Sequence, residues 1–245
     1  MLLLLFSREG VRLPPRDTWP ALIALGLLGN TVYQLLFING LARTSATNSS
    51  LILASMPTVV TVAAGVLGLE RTTPRERVAL AVATLGVVLV VASRGLHFGG
   101  ERVGDLLMLV SVLAWAAYTV GLRRFGRRMS TLSLTTWTTI TGTPGLLLVG
   151  IPGIGRLKLA SVSAASWGGL AYATLLSLIV AYMLWNRGIV VLGASRTALF
   201  TCLTPLVATS TAMVVLHEQP TVWHLVGGAL IVGGVVLSKG GGQSA

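Results

Sequence analysis

Eight stretches of about twenty residues, in which apolar and small side chains run almost unbroken, set the terms for this chain. They lie near 19 to 41, 45 to 69, 76 to 94, 103 to 121, 131 to 151, 165 to 190, 194 to 216 and 221 to 239. A helix rising about 1.5 Å per residue crosses the roughly 30 Å of a bilayer's hydrocarbon core in that length. Within lipid a helix satisfies its own backbone polar groups, which is why such stretches are read as helices. Charged residues make up 10% of the chain, hydrophobic residues 53%, and the mean hydropathy is +0.83; a soluble domain would be about 25% charged. The expected fold is therefore an all-α polytopic integral membrane protein of about eight transmembrane helices, separated by punctuation such as RTTPRER, RGLHFGGER, RRFGRRMS and PGIGRLK.

The net charge of +11 fits topology better than nucleic acid, because the basic residues fall in short groups between apolar runs without interleaved aromatics. The expected partners are the lipid bilayer and a small-molecule substrate, with no nucleic acid; a homodimer is compatible with the sequence. One set of alternate connecting segments holds thirteen Lys and Arg (Arg8, Arg12, Arg16, Arg71, Arg75, Arg77, Arg123, Arg124, Arg127, Arg128, Arg187, Arg196, Lys239). The other holds five (Arg43, Arg94, Arg102, Arg156, Lys158). By the positive-inside rule the richer side is cytoplasmic and the C-terminus lies inside. The opening MLLLLFS is too short to span and lacks the basic region and cleavage site of a signal peptide; it reads as the tail of a span whose beginning is missing. The lone Cys202 admits no intramolecular disulfide and reads as packing.

Shifting the chain along itself by 148 residues aligns 19 to 89 with 167 to 237 without a gap, and 22 of the 71 positions are identical. Apolar coincidences carry little weight, but Trp19 meets Trp167, Gly40 meets Gly188, Pro57 meets Pro205 and Glu70 meets Glu218. Five spans separate equivalent positions, so the copies run through the membrane in opposite senses, the inverted repeat of many secondary transporters. The division expected is a first repeat at 1 to 95, shortened at its N-terminus, and a second at 101 to 240, a five-plus-five plan with the first two helices missing.

Three stretches resemble the EamA-type transporters of the drug/metabolite transporter superfamily. LARTSATNSSLILASMPTVVTVAAGVLGLE is similar to that family's fourth helix, with its central proline and terminal Gly-x-Glu; GDLLMLVSVLAWAAYTVGLRR is similar to its sixth and LGASRTALFTCLTPLVATSTAMVVLHEQP to its ninth. The resemblance implies a ten-helix carrier of the bacterial cytoplasmic membrane, with both termini inside, that exports or exchanges small metabolites, amino acids or drugs. The absence of the family's first two helices raises a second expectation, a truncated, inactive or partner-dependent fragment of such a carrier.

Within the spans, polar and aromatic residues are the candidates for a substrate pathway. Asn30, Tyr33 and Gln34 share a helical face, Ser111, Trp115 and Tyr118 form an i, i+4, i+7 stripe, and Tyr182, the match of Gln34, is followed by Trp185 and Asn186. An amide in hydrocarbon needs a partner, so these side chains are expected to face other helices or a wet cavity, as interhelical glue or as pathway. Pro57 and Pro205 each remove a backbone donor and are expected to kink their helices at matched depth, with hydroxyls such as those of Ser55 and Thr201 near the freed carbonyls. Glu70 and Glu218 fall at span ends, where they are expected to bond helix termini or loop arginines.

No catalytic set accompanies these residues. HEQPTVWH spaces His217 and His224 too widely for HExxH, and the acids Asp17 and Asp105 flank spans. No metal, cofactor or enzymatic activity is expected; an integral-membrane enzyme on lipid-linked substrates would need an interfacial acid or histidine cluster.

Overall fold

A computed structural model of the protein describes residues 13–44, 46–92, 102–125, 128–154, 162–204, 207, 210 and 222–239. Its elements are helical: α1 (Arg16–Leu41), α2 (Ala46–Ala54), α3 (Met56–Val66), α4 (Pro74–Ala92), α5 (Arg102–Phe125), α6 (Thr131–Ile154), α7 (Ala164–Leu192), α8 (Ala194–Leu199) with a 3₁₀ turn Phe200–Leu203, and α9 (Val222–Lys239). Among the described residues, α1, α5, α7 and the stretch Asn48–Val66 are long and apolar enough to cross a membrane. This is an all-α, polytopic membrane architecture.

The helix boundaries follow local chemistry. α4 opens on a capping box: the Thr73 N–H donates to Glu76 Oε2 at 2.9 Å and the Glu76 N–H donates to Thr73 Oγ1 at 3.2 Å, with Pro74 at the first helical position. α7 is capped by Ser163, whose hydroxyl accepts from the Ser166 N–H. Pro57 begins α3 rather than bending a continuous helix; the chain tightens at Ser55, whose N–H and hydroxyl both donate to the Ile52 carbonyl at 3.1 and 2.6 Å. A helical irregularity of the same kind, the 3₁₀ turn Phe200–Leu203, stands 148 residues on, and there Thr201 Oγ1 donates to the Ala198 carbonyl at 2.7 Å. Pro205 itself lies outside the described residues.

α4 and α9 pack against each other with a reciprocity that sequence register explains. A methyl group on Gly86 would stand 2.6 Å from the Gly227 carbonyl oxygen and 2.9 Å from Ile231; one on Gly234 would stand 2.7 Å from the Ala79 carbonyl oxygen and 2.8 Å from Ala83. Gly86 and Gly234 are 148 apart, as are Ala79 and Gly227, and Ala83 and Ile231. As one helix advances its contacts on the other recede, so the pair is antiparallel and related by a local two-fold axis. Only glycine allows the approach, in the manner of small-residue crossings in membranes. The core beside it repeats the pattern: Ala54 with Cys202, Ala83 with Ile231 and Val87 with Val235 form one buried cluster of register-matched pairs. Cys202 is thus the counterpart of a packed alanine. Arg75 reaches along the crossing and donates to the Leu237 carbonyl at 3.0 Å, a cation at a helix C-terminus.

The larger core lies between α1, α3, α5, α6, α7 and α8. α1 crosses α6 so closely that a methyl on Gly26 would overlap the Thr141 side chain and the Thr138 carbonyl. Side-chain donors stitch the crossing: Thr141 Oγ1 to the Leu22 carbonyl (3.0 Å), Asn30 Nδ2 to the Thr138 carbonyl (3.1 Å) and Thr31 Oγ1 to the Gly142 carbonyl (2.6 Å). Both α1 and α7 widen into π-helical turns, Leu27–Val32 and Ala173–Val180, and the first maps into the second under the 148-residue shift.

The crossing yields a paired test. Gly86→Ala and Gly234→Ala are each expected to destabilise the detergent-solubilised protein by roughly 1–3 kcal/mol through overpacking. Gly233→Ala, which meets nothing within 4 Å, is expected to be near neutral in the same thermal melt.

Candidate functional site

The aromatic residues singled out in the sequence converge on one ring. Trp115 of α5 has its centroid 4.6 Å from Tyr33, 5.3 Å from Tyr118, 5.6 Å from Tyr182 and 5.4 Å from Trp185. Tyr33 also stacks on Phe37 at 5.6 Å. The hub thus joins α1, α5 and α7; Trp115 meets Tyr182 edge-on and the other three rings at tilts of 43° to 44°. Ser111 does not join it; its hydroxyl donates to the Met108 carbonyl of its own helix at 2.7 Å.

A polar chain runs beside the rings. Tyr118 OH donates to Asn186 Oδ1 at 3.2 Å, Asn186 Nδ2 donates to Thr135 Oγ1 at 2.7 Å, and Thr135 Oγ1 donates to the Thr131 carbonyl at 2.7 Å. Asn186 is fully buried, so each of these bonds offsets the cost of an amide out of water. Tyr182 OH donates to the Gly29 carbonyl at 3.3 Å, in the π turn of α1, and the Gln34 side chain lies beside the Tyr182 hydroxyl. Gln34 and Tyr182 are register-matched, so the two halves of the repeat touch here as they do at Gly86 and Gly234. The indole N–H of Trp185 is buried and finds no acceptor among the described residues.

Of the residues expected to line a pathway, Tyr33, Gln34, Trp115, Tyr118, Tyr182, Trp185 and Asn186 are brought together. Asn30 turns from the rings to α6. Ser55 and Thr201 spend their hydroxyls on their own helices. Pro57 is buried beneath the Ser55 turn, and Glu218 lies outside the described residues.

Glu70 occupies a corner the sequence only hinted at. Its Oε1 accepts from the Ala194 N–H at 2.6 Å and its Oε2 from the Ser195 N–H at 3.0 Å, so it caps the first turn of α8. Arg123 Nε stands 3.2 Å from Glu70 Oε1, and Arg123 Nη1 donates to the Ile189 and Val190 carbonyls at 3.2 and 3.1 Å, the last turn of α7. An anion at one helix N-terminus and a cation at another's C-terminus answer both dipoles. Gly193 joins the two helices at φ +98, and a side chain there would strike Glu70 Oε1 at 2.6 Å. Beside this corner Arg196 pairs with Glu76 at 2.8 Å. These contacts bring residues 70 to 76, 123 and 189 to 196 to one end of the bundle. At the far end of α5, Asp105 accepts from Asn48 Nδ2 at 3.1 Å and from the Thr44 hydroxyl.

Sequence reasoning missed Thr135, Arg123 and Asp105 as participants. For Thr135 a signal existed: seven threonines crowd into residues 131 to 143, more hydroxyls than an idle apolar span requires.

The EamA-like transporter family model matches residues 1–92 and 102–239. The chain belongs to the EamA-like transporter family. Among curated relatives, the uncharacterized transporter YyaM of Bacillus subtilis (strain 168) is 29% identical over 247 residues, covering 98% of this chain and 80% of that protein. A probable terminal-alkyne amino-acid exporter of Streptantibioticus cattleyicolor is 26% identical, covering 93% and 75%. A solved structure titled only as the crystal structure of a protein superposes with a TM-score of 0.78 at 19% identity, covering 97% of this chain and 82% of the other, a likeness of fold. This EamA-like chain is thus a multi-pass membrane protein of a transporter family.

For the polar chain, Asn186→Leu is expected to take the acceptor from the Tyr118 hydroxyl and lower stability by roughly 1–2 kcal/mol. Asn39→Leu, an exposed position, is expected to change the same thermal melt little.

Proposed function

We propose that this chain is a secondary carrier that exports or exchanges a small amino-acid-like metabolite or drug across the bacterial cytoplasmic membrane by alternating access between two inverted halves, residues 1 to 95 and 101 to 240. The observation that carries the reading is the convergence of Tyr33, Gln34, Trp115, Tyr118, Tyr182 and Trp185 where α1, α5 and α7 meet. Carriers built from inverted repeats bind near the plane where the repeats face each other, and the register-matched contact of Gln34 with Tyr182 supports such a plane here.

The chemistry of the wall selects the cargo. Indole and phenol rings cover an apolar or aromatic side chain, while Gln34, the phenol hydroxyls and the unpaired Trp185 N–H offer hydrogen bonds to a carbonyl or carboxylate. A small zwitterion with an apolar tail uses both. The similarity to a relative named as a probable amino-acid exporter favours the same class. The arginine-rich end, held by the Glu70, Arg123, Glu76 and Arg196 contacts, faces the cytoplasm on this reading, with the C-terminus inside.

In proteoliposomes assayed with a panel of radiolabelled amino acids, Tyr182→Ala and Gln34→Ala are each expected to reduce transport at least tenfold. Val66→Ala, at a position 81% exposed, is expected to leave it unchanged. Full transport by both site variants would remove the site assignment.

A further inference from the structure

The Glu70 corner stands very close to the aromatic hub. Along α5, Ser111, Trp115, Thr119 and Arg123 recur every fourth residue and share one face, so the line from hub to corner passes through a single side chain, Thr119. Along α7, Asn186 precedes the Ile189 carbonyl that Arg123 holds by less than one turn. From Trp115 to Arg123 is eight residues, roughly 12 Å of helix, and from Tyr118 it is five, roughly 7 Å. On the face of α5 that carries Trp115 and Arg123, Thr119 is the residue between the hub and the arginine-rich end.

That end is tied by charge as well as by the apolar packing of Leu122, Ile189 and Ala194. Glu70 and Arg123 are both largely buried, with side chains 13% and 19% exposed, and between them they engage the end of α3, the end of α5, the last turn of α7 and the first turn of α8. Charge-assisted bonds of this kind hold firmly while intact, and removing one partner leaves the other uncompensated. A two-state closure needs such a contact, one that exists in one conformation and is lost in the other. Beneath it the Thr119 hydroxyl is wholly buried with no partner among the described residues. A stranded hydroxyl between hub and corner has its hydrogen bonds supplied once the corner parts and water or cargo enters.

Building on the carrier reading, we propose that the Glu70–Arg123 pair is the gate of the arginine-rich end: its double hold on α7 and α8 shuts the hub from that side, and transport requires its release. Glu70 and Arg123 are positioning residues, acting through the helices they hold.

The test reads accessibility and needs no knowledge of the cargo, so its failure and the failure of the carrier reading are distinguishable. In a full-length Cys202→Ala background, Thr119→Cys reports the layer beneath the gate and Ser111→Cys a buried position on the other side of Trp115. A membrane-impermeant cationic thiosulfonate is applied from the arginine-rich side of oriented vesicles. With Glu70 intact both cysteines are expected to react slowly. Glu70→Gln or Arg123→Gln is expected to accelerate Thr119→Cys at least tenfold and to leave Ser111→Cys protected. Asp17→Asn, which breaks the exposed pair with Arg128 at the same end, is expected to change neither rate. Unchanged reactivity of Thr119→Cys would overturn the proposal. So would parallel acceleration of both cysteines, since that pattern marks general loosening of the bundle.

Discussion

Lipid offers no hydrogen bonds, and that constraint organises the molecule. An amide, hydroxyl or carbonyl left unpaired within the membrane carries a cost that no water offsets. The crossing of α1 on α6 shows the result: threonine and asparagine side chains bond carbonyls of the opposing helix, and Gly26 brings the backbones close enough for them to reach. The same requirement places Asn186 between Tyr118 and Thr135, where its carbonyl and amide each have a partner. At the helix ends it draws Glu70 to two N–H groups and Arg123 to two carbonyls. The polar residues of this apolar chain therefore act as its most directional contacts, while the apolar ones supply area.

The helices were legible because their signals are local. An apolar window acts over a few residues and placed the spans, whereas the Thr73–Glu76 cap of α4 went unread and Pro57, expected as a kink, begins α3. The aromatic cluster was partly legible because Trp115 and Tyr118 lie too deep in their span for an interfacial belt. The corner was legible only from Glu70, expected to bond helix termini or loop arginines, as it does. Arg123 is one of four arginines in RRFGRR, and nothing in that run says which one reaches across to Ile189 and Glu70. Nor could spacing show the π turns, which leave the hydrophobic pattern intact while opening the Gly29 carbonyl to Tyr182.

Packing is also uneven along equivalent helices. α1 is covered by α6 through its first half, whereas Ala164–Tyr172 of α7, the register-matched stretch, has no buried residue. The two helices share the π irregularity yet differ in environment. Local sequence sets a helix's shape, and its neighbours decide which face is buried.

This separation between shape and surroundings bears on how a two-fold scaffold holds an asymmetric cargo. Where α4 crosses α9 the residues of closest approach are identical, Gly86 with Gly234 and Val87 with Val235, while Ala83 faces its larger match Ile231. Around Trp115 the matched residues diverge: Gln34 with Tyr182, Phe37 with Trp185, Ile38 with Asn186 and Tyr33 with Ala181. A symmetric pocket would present the same donors twice, facing opposite ways, and a small zwitterion has a different group at each end. On the carrier reading, divergence at the hub gives the halves different groups, Tyr33 and Gln34 from the first and Tyr182, Trp185 and Asn186 from the second. On the carrier reading the repeat supplies the motion, and the differences between its copies supply the recognition.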